Sequence, residues 1–299
     1  MDRRRRALLA AVAAAAINPA LAQRGPLLKK IPASGEAIPV IGLGTWQSFD
    51  VGADAAARKP LREVLQGFVQ AGGRVVDSSP MYGAAESMVG DLVAELGIRD
   101  KLFIATKVWT SGRAEGLRQM ENSFKRLRVE RMDLMQVHNL VDVETHTRTL
   151  QEMKRQQKLR YIGITHYGAS AHAEVERWLK TGHYDFVQIN YSLGEPQAER
   201  RLLPLALEKK IAVIANRPFA EGALLRRVKG KPLPPWAAEL GIASWAQYFL
   251  KWIVSHPAVT CAIPGTGNPK HMADNLAAST GALPDEAARK RMADYFQSS

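Results

Sequence analysis

An aspartate and a tyrosine, Asp77 and Tyr82, follow the apolar pair Val75-Val76 within residues 74–83. Two later apolar runs end in the same manner, residues 103–106 delivering Lys107 and residues 134–137 delivering His138. Each of the four has an ordinary account in isolation: helix cap, packing aromatic, surface lysine, satisfied histidine. Their repetition at successive strand ends points instead to chemistry. A phenol titrates near pH 10, so a neutral-pH proton transfer through Tyr82 needs help from its surroundings. An ammonium such as Lys107 within a few ångströms favours phenolate and is expected to draw the Tyr82 pKa toward the working range. Asp77 would hold that ammonium charged, and the His138 imidazole would orient and polarise a carbonyl. A tyrosine exchanging a proton with oxygen suits carbonyl to alcohol interconversion. The hydride this also requires has no side-chain source, so a cofactor must carry it.

These groups can meet only if the strand ends share one face. Apolar runs at 40–43, 74–77, 101–106, 132–137, 161–164, 185–189, 211–215 and 259–263 alternate with helical patterns near 56–70, 84–96, 116–127, 144–157, 170–179, 198–208, 237–254 and 269–278. In the first helix Leu61, Val64, Leu65 and Phe68 fall on one side, as helical periodicity requires. Eight strand and helix units close a parallel barrel, so the expected fold is α/β, a (β/α)8 TIM barrel forming a single domain over 23–299, with a tail helix at 284–296. An open doubly wound sheet is the rival; it usually begins with a glycine-rich dinucleotide loop, which is lacking here. Barrel geometry gathers Asp77, Tyr82, Lys107 and His138 at one mouth.

With those residues in place, the chain resembles an aldo-keto reductase from Ile38 to about Ala278. Gly42-Leu43-Gly44-Thr45-Trp46 resembles the family's opening motif, and residues 77–83 with Glu86 and Gly90 resemble its tyrosine motif. The resemblance implies that Tyr82 is the general acid in reduction, Lys107 its pKa partner, Asp77 the charge partner of that lysine and His138 the substrate-orienting donor. It also implies an extended nicotinamide cofactor across the mouth, touching Gly44, Thr45, Trp46, Asp77, Thr165, His166, Gln188, Asn216, Arg217, Pro218, Phe219, Ile263, Gly265, Thr266, His271 and Asn275. Thr165-His166 stands where a serine-asparagine pair is usual, and Asn216 where many members stack a tyrosine on the nicotinamide; Tyr191, Trp109 and Phe219 are candidates to cover the ring instead. Arg217 is expected to offer pyrophosphate a charge-assisted contact. NADP(H) is the expected cofactor and NAD(H) the alternative. Exposed amides where residues 263–268 lead into a helix would hold a phosphate. Trp46, Tyr82, Trp109, His138 and Tyr167 are expected to wall a pocket for a small carbonyl substrate. The rival reading is a cofactor-binding or sensing protein on this scaffold with little turnover. A metal-dependent lyase is disfavoured, because His172, His183, His256 and His271 are scattered and form no ligand motif.

Residues 1–22 read as a secretory signal: Arg3 to Arg6, an alanine-rich stretch and a small-x-small site at Ala20-Leu21-Ala22. The apolar stretch is too short to span a bilayer core of about 30 Å. Its arginines and mild hydrophobicity resemble a twin-arginine signal, which implies the folded-protein export machinery as partner and a periplasmic or otherwise exported product. Four arginines and one aspartate leave with it, so the formal charge falls from +12 to +9. The remaining basic clusters, Lys29-Lys30, Arg226-Arg227 and Arg289-Lys290-Arg291, lack interleaved aromatics and read as solvated surface, not as a nucleic-acid site. The lone Cys261 sits in an apolar run and reads as core. The mature chain is expected to be a monomer without membrane insertion.

Overall fold

Eight parallel strands make the sheet that the alternation predicts. In a computed structural model, residues 25–52 and 54–298 are described; the expected export signal at residues 1–22 lies outside the described residues. The sheet runs in order β3 (Leu43–Gly44), β4 (Val75–Asp77), β5 (Phe103–Val108), β6 (Met132–His138), β7 (Leu159–His166), β8 (Phe186–Asn190), β9 (Ala212–Asn216) and β10 (Val259–Ala262). Bridges Ile41 to Ala262 and Gly44 to Gly265 join its two edges and close the barrel. Gly44 permits that closure, because a Cβ there would stand 2.8 Å from the Ile263 carbonyl oxygen.

The helices pack outside: α1 (Ala55–Gln70), α2 (Ala85–Leu96), α3 (Arg113–Leu127), α4 (Val143–Arg155), α5 (His172–Leu179), α6 (Leu202–Glu208), α7 (Ala223–Arg227), α8 (Trp245–Ser255), α9 (Pro269–Ala277) and α10 (Glu286–Ser298). α1 starts where the Asp54 side chain accepts from Ala56 N–H, and it buries the predicted face of Leu61, Val64, Leu65 and Phe68. The single helix expected at 237–254 is two pieces, a 3-10 turn at Pro235–Leu240 and then α8. Gly241 ends the first in the left-handed region and Ser244 caps the second, so the break follows from local chemistry.

Period-two alternation sorts each strand's inward residues into layers. The lower layer is apolar and includes Val75, Phe103, Leu134, Tyr161, Phe186, Ala212 and Cys261, all in one cluster inside the sheet. Continuing two residues at a time toward the carboxyl ends, the same faces present Asp77, Lys107, Gln136, His138, Thr165, Gln188 and Asn216. The layer of polar groups is therefore the continuation of the barrel's own core. An antiparallel hairpin absent from the sequence-based expectation, β1 (Leu28–Lys30) with β2 (Ala37–Pro39), sends Ile31 and Ile38 into the lower cluster and stoppers the opposite end. Lys29 on this hairpin departs from the solvated surface expected of its cluster. Its Nζ donates to the carbonyls of Val254, His256 and Val259 at 2.7, 2.8 and 2.7 Å, and burial, with Arg289 nearby, pushes its pKa down to about 8.

Seven of the ten non-glycine residues with positive φ among the described residues lie in loops at the carboxyl ends of strands: Gln47, Asn139, Leu140, Asp142, Arg217, Ala220 and Glu221. Unfavourable backbone persists where surrounding structure over-determines it, often around functional sites. The strain thus gathers at the mouth that the polar layer reaches.

Candidate active site

Parallel register brings the ionisable groups together. Asp77 pairs with Ala105, Lys107 with Gln136, and His138 with Thr165, so each strand end is stepped past its neighbour. Lys107 Nζ lies 2.6 Å from Asp77 Oδ2 and donates to the Ser78 carbonyl at 2.7 Å. Both charged side chains are essentially buried. Burial works against the ammonium, but Asp77 and Tyr82 outweigh it and raise the Lys107 pKa above its usual value. The other Asp77 oxygen accepts from Gln188 Nε2 at 2.8 Å and Gln136 Nε2 at 3.3 Å.

The Tyr82 ring centroid stands 4.9 Å from Lys107 Nζ. Here the expectation of a lowered phenol pKa is corrected. Burial raises it, the Lys107 ammonium pulls it down, and Asp77 pushes it up again, with a net shift upward. In the absence of ligand Tyr82 is therefore a protonated donor. His138 is forced the other way: burial first, then Lys107 and His166, push its pKa down to about 2, leaving a neutral imidazole. Its Nδ1 lies 3.1 Å from Ser79 Oγ, and its ring sits 6.0 Å from Tyr82 and 6.4 Å from Trp109 between centroids.

The loops that carry these groups are fastened from outside. Asp50 Oδ1 accepts from Ala84 N–H at 2.8 Å beside Gly83, where a Cβ would fall 2.2 Å from the Asp50 carboxylate. This pins the turn that presents Tyr82. Gln119 brackets Trp109, its Oε1 accepting from the Trp109 N–H at 2.6 Å and its Nε2 donating to the Trp109 carbonyl at 3.1 Å. Asp142 accepts from Gly112 N–H at 2.7 Å and His146 Nε2 meets the Thr110 carbonyl at 2.7 Å, so the Trp109 loop has three side-chain clasps. Trp46, Met81, Trp109 and Tyr167 are large apolar or aromatic residues left exposed.

On the other half of the mouth, Thr165 Oγ1 donates to Gln188 Oε1 at 3.2 Å, and Asn216 Nδ2 approaches the same oxygen at 3.5 Å and the His166 carbonyl at 3.4 Å. Asn216 Oδ1 is buried without a partner. His166 stacks on Tyr167, with centroids 5.3 Å apart and planes at 7°. Thr45 is turned inward, its hydroxyl donating to the Asp77 carbonyl at 3.0 Å, while neighbouring Trp46 is exposed. Arg217 donates to the Tyr167 carbonyl at 3.1 Å and lies 3.8 and 3.4 Å from the Glu195 and Glu221 carboxylates. Two acids already share the charge expected to reach pyrophosphate. Pro218 is buried and Phe219 packs against Phe249. Of the candidate ring covers, Tyr191 is fully buried against Trp252, its hydroxyl bound by Glu199 and Arg289, and cannot serve.

After β10, Ile263 belongs to the inner cluster, Gly265 is exposed beside Gly44, and Thr266 Oγ1 accepts from Asn268 N–H at 3.1 Å. Asn268 caps α9 through Lys270 N–H, and Pro269 contributes no N–H. With the Asn268 and Lys270 N–H groups engaged and none at Pro269, this helix start offers a phosphate fewer free N–H groups than its sequence suggests. His271 is exposed and Asn275 buried.

Residues 40–290 match the profile described as the aldo/keto reductase family. This chain belongs to the aldo/keto reductase family. It is 30% identical over 260 residues to methylglyoxal reductase YeaE of Escherichia coli, covering 83% of this chain and 88% of that one. Two Klebsiella pneumoniae aldo-keto reductase structures are similar to it: one in complex with NADP and acetate, 27% identical with a TM-score of 0.75 over 88% of this chain and 93% of that one, and one with NADPH, 26% identical with a TM-score of 0.76 over 91% and 96%.

As an aldo-keto reductase, the protein is an oxidoreductase that reduces carbonyls with a nicotinamide cofactor. The mouth fits such a group on its own evidence: a buried, unpartnered carbonyl at Asn216, side-chain-free surface at Gly265, and a helix start beyond it. Among the described residues no group of three or more His, Cys, Asp or Glu could hold a metal ion. Sequence reasoning missed Ser79, Gln136, Asp50 and Gln119. Gln136 alone carried a signal, being two residues before His138 on the same strand face; the others act across loops that sequence spacing does not relate.

Proposed function

We propose that this protein reduces a small aldehyde or ketone, taking NADPH as hydride donor. The observation that carries the reading is the buried Lys107–Asp77 pair beneath a protonated Tyr82, with neutral His138 at its edge. Bound nicotinamide supplies the hydride. A carbonyl oxygen seated between the Tyr82 hydroxyl and the His138 ring is polarised by both, and Tyr82 transfers its proton to that oxygen as the alkoxide forms. Lys107 then faces the phenolate and stabilises its charge, while Asp77 keeps the lysine oriented. Gln188, Thr165 and Asn216 would hold the carboxamide end, and Thr266, His271 and Asn275 the adenosine end. The two Klebsiella structures with NADP or NADPH favour that cofactor over NAD(H). The aromatic rim of Trp46, Trp109 and Tyr167, together with the methylglyoxal reductase relative, favours compact or apolar carbonyls.

Single-turnover oxidation of NADPH against a panel of aldehydes and ketones tests this. Carbonyl-dependent oxidation abolished by Tyr82→Phe is the expected result. Oxidation unaffected by that change would overturn the mechanism, and binding without any oxidation would favour the cofactor-sensing reading.

The sequence of residues 1–22 supports a second proposal, export in the folded state as a monomer with its cofactor already bound. Nicotinamide bound before export would also stabilise the folded precursor by mass action. Fractionation of cells making the natural precursor and one with Arg3 to Arg6 changed to lysine checks this: the first should reach the periplasm carrying nicotinamide absorbance, the second should stay inside. Equal export of both would refute the twin-arginine route.

A further inference from the structure

Neutral His138 holds one ring proton for two nitrogens, and only the nitrogen facing the carbonyl can polarise it. We propose that Ser79 is a positioning residue that sets the His138 tautomer, keeping the proton on Nε2 so that the ring donates to the substrate oxygen.

The geometry supplies the reason. Ser79 Oγ lies 3.1 Å from Nδ1, and both side chains are buried, so water does not compete for either atom. A hydroxyl has one proton to give and lone pairs to receive. The receiving role already has a donor, the Met81 N–H at 3.4 Å. Among the described residues the one acceptor within reach of the Ser79 hydroxyl is Nδ1 itself. The alternative, with Nδ1–H donating to Ser79, would leave the serine proton buried without an acceptor and would turn a bare nitrogen toward the carbonyl, where two lone pairs would face one another. An unmade hydrogen bond in a buried site is the more expensive state.

Ser79 also ties the two polarising groups to one turn. Its backbone carbonyl accepts from Tyr82 N–H at 3.0 Å, while its hydroxyl meets His138. Neighbouring Ser78 is committed differently, its hydroxyl 3.0 Å from Thr45 Oγ1 and its carbonyl accepting from Lys107. Consecutive serines thus serve the lysine and the histidine separately.

The consequence for catalysis rests on the carbonyl-reducing reading; the tautomer is a property of the resting protein and is measured without substrate. Long-range proton–nitrogen NMR on the full chain labelled at histidine, with His138 assigned by loss of its signals in His138→Gln, should show Nε2 protonated and Nδ1 bare from pH 6 to 8. Ser79→Ala should shift population toward Nδ1–H and lower kcat for carbonyl reduction about tenfold while leaving the NADPH dissociation constant unchanged. Ser79→Cys, which restores a weak donor, should fall between the two. A wild-type spectrum with Nδ1 protonated overturns the proposal, as does Ser79→Ala with an unchanged tautomer. Should Ser79→Ala fail to fold, the wild-type spectrum still decides. A wild type with the expected tautomer but no carbonyl-dependent NADPH oxidation would sink the enzyme reading and leave the tautomer assignment standing.

Discussion

The mouth of this barrel has two halves built on opposite rules. Along β4 to β6, Asp77, Lys107 and His138 are buried; the Asp77 oxygens, Lys107 Nζ and His138 Nδ1 meet Ser78, Gln188, Gln136 and Ser79 at hydrogen-bonding distance, while Gln136 Oε1 beside them is buried without a partner. Along β7 to β10, Asn216 keeps a buried oxygen without a partner, His166 is half-buried, and Gly265 and His271 are open. Proton transfer rewards a site already arranged before substrate arrives, because nothing then has to reorganise as charge develops. A track for a long dinucleotide needs groups left available for the ligand. If that contrast is right, substitutions in the first half should change rate without changing cofactor affinity, and those in the second the reverse.

The largest effect should come from Tyr82→Phe. Removing the proposed general acid is expected to lower single-turnover reduction by about 10²–10⁴-fold while the NADPH dissociation constant holds. The pH profile carries the same message. Reduction needs the phenol protonated, and the Tyr82 pKa is raised above its usual value near 10. Its limb should therefore be a fall in rate that sets in only above the usual phenol range, with full activity below it. His138 is held down to about 2, so no limb should appear near the ordinary imidazole value of about 6.5. Rate measured from pH 6 to 11 checks both; a limb near neutrality that vanished in His138→Gln would contradict the buried, neutral ring.

Asp77→Asn should come next and should also reach stability. The substitution leaves the Lys107 ammonium buried without its counter-charge, and breaking a buried pair from one side typically destabilises by about 3–5 kcal/mol. Urea unfolding of the two proteins measures it. A loss below about 1 kcal/mol would mean that Ser78 and Tyr82 suffice to hold the charge, and that this half is less finely matched than its geometry suggests.

What the sequence disclosed follows the same division. The barrel and the convergence of the four groups proposed to react were legible because strand ends and two-residue alternation are local patterns, and Asp77, Lys107 and His138 sit where those patterns stop. Gln136 carried one signal, its place two residues before His138 on the same strand face, but a neutral amide within an apolar strand shows no role until Asp77 is placed 3.3 Å away. Ser79 opens the turn to Tyr82, an ordinary place for a serine, and its hydroxyl reaches a residue far along the chain. The ring cover expected of Tyr191 failed because that residue, just past β8, turns outward under α8 and is absorbed by Trp252, Glu199 and Arg289. Lys29 looked like a solvated charge because its three partners are carbonyl oxygens, which carry no sequence signature.

On the open half, Asn275→Leu should raise the NADPH dissociation constant about tenfold and leave the rate at saturating cofactor unchanged. Asn275 is buried one turn after exposed His271 on α9, where the proposed cofactor track would end in adenosine, remote from the transferred atoms. Fluorescence titration and single-turnover kinetics separate the two quantities. A large fall in rate at saturation would dissolve the distinction between the halves.

The smallest effect concerns the Trp109 wall, which follows β5 in the first half. Gln119 holds both backbone groups of Trp109, and Asp142 and His146 hold the residues that follow. Gln119→Ala removes one clasp of three, on an exposed loop where water can take up the freed amide and carbonyl. The stability change should therefore stay within about 1 kcal/mol. Trp109 shares a face with His138 but handles no proton, so loosening it should raise KM for bulky aldehydes about two- to fivefold, leave KM for the smallest ones unchanged, and spare kcat for both. A fall in kcat with KM unchanged would show that the wall also aligns the carbonyl with Tyr82, and would give Trp109 a part in the reaction as well as in binding the aldehyde.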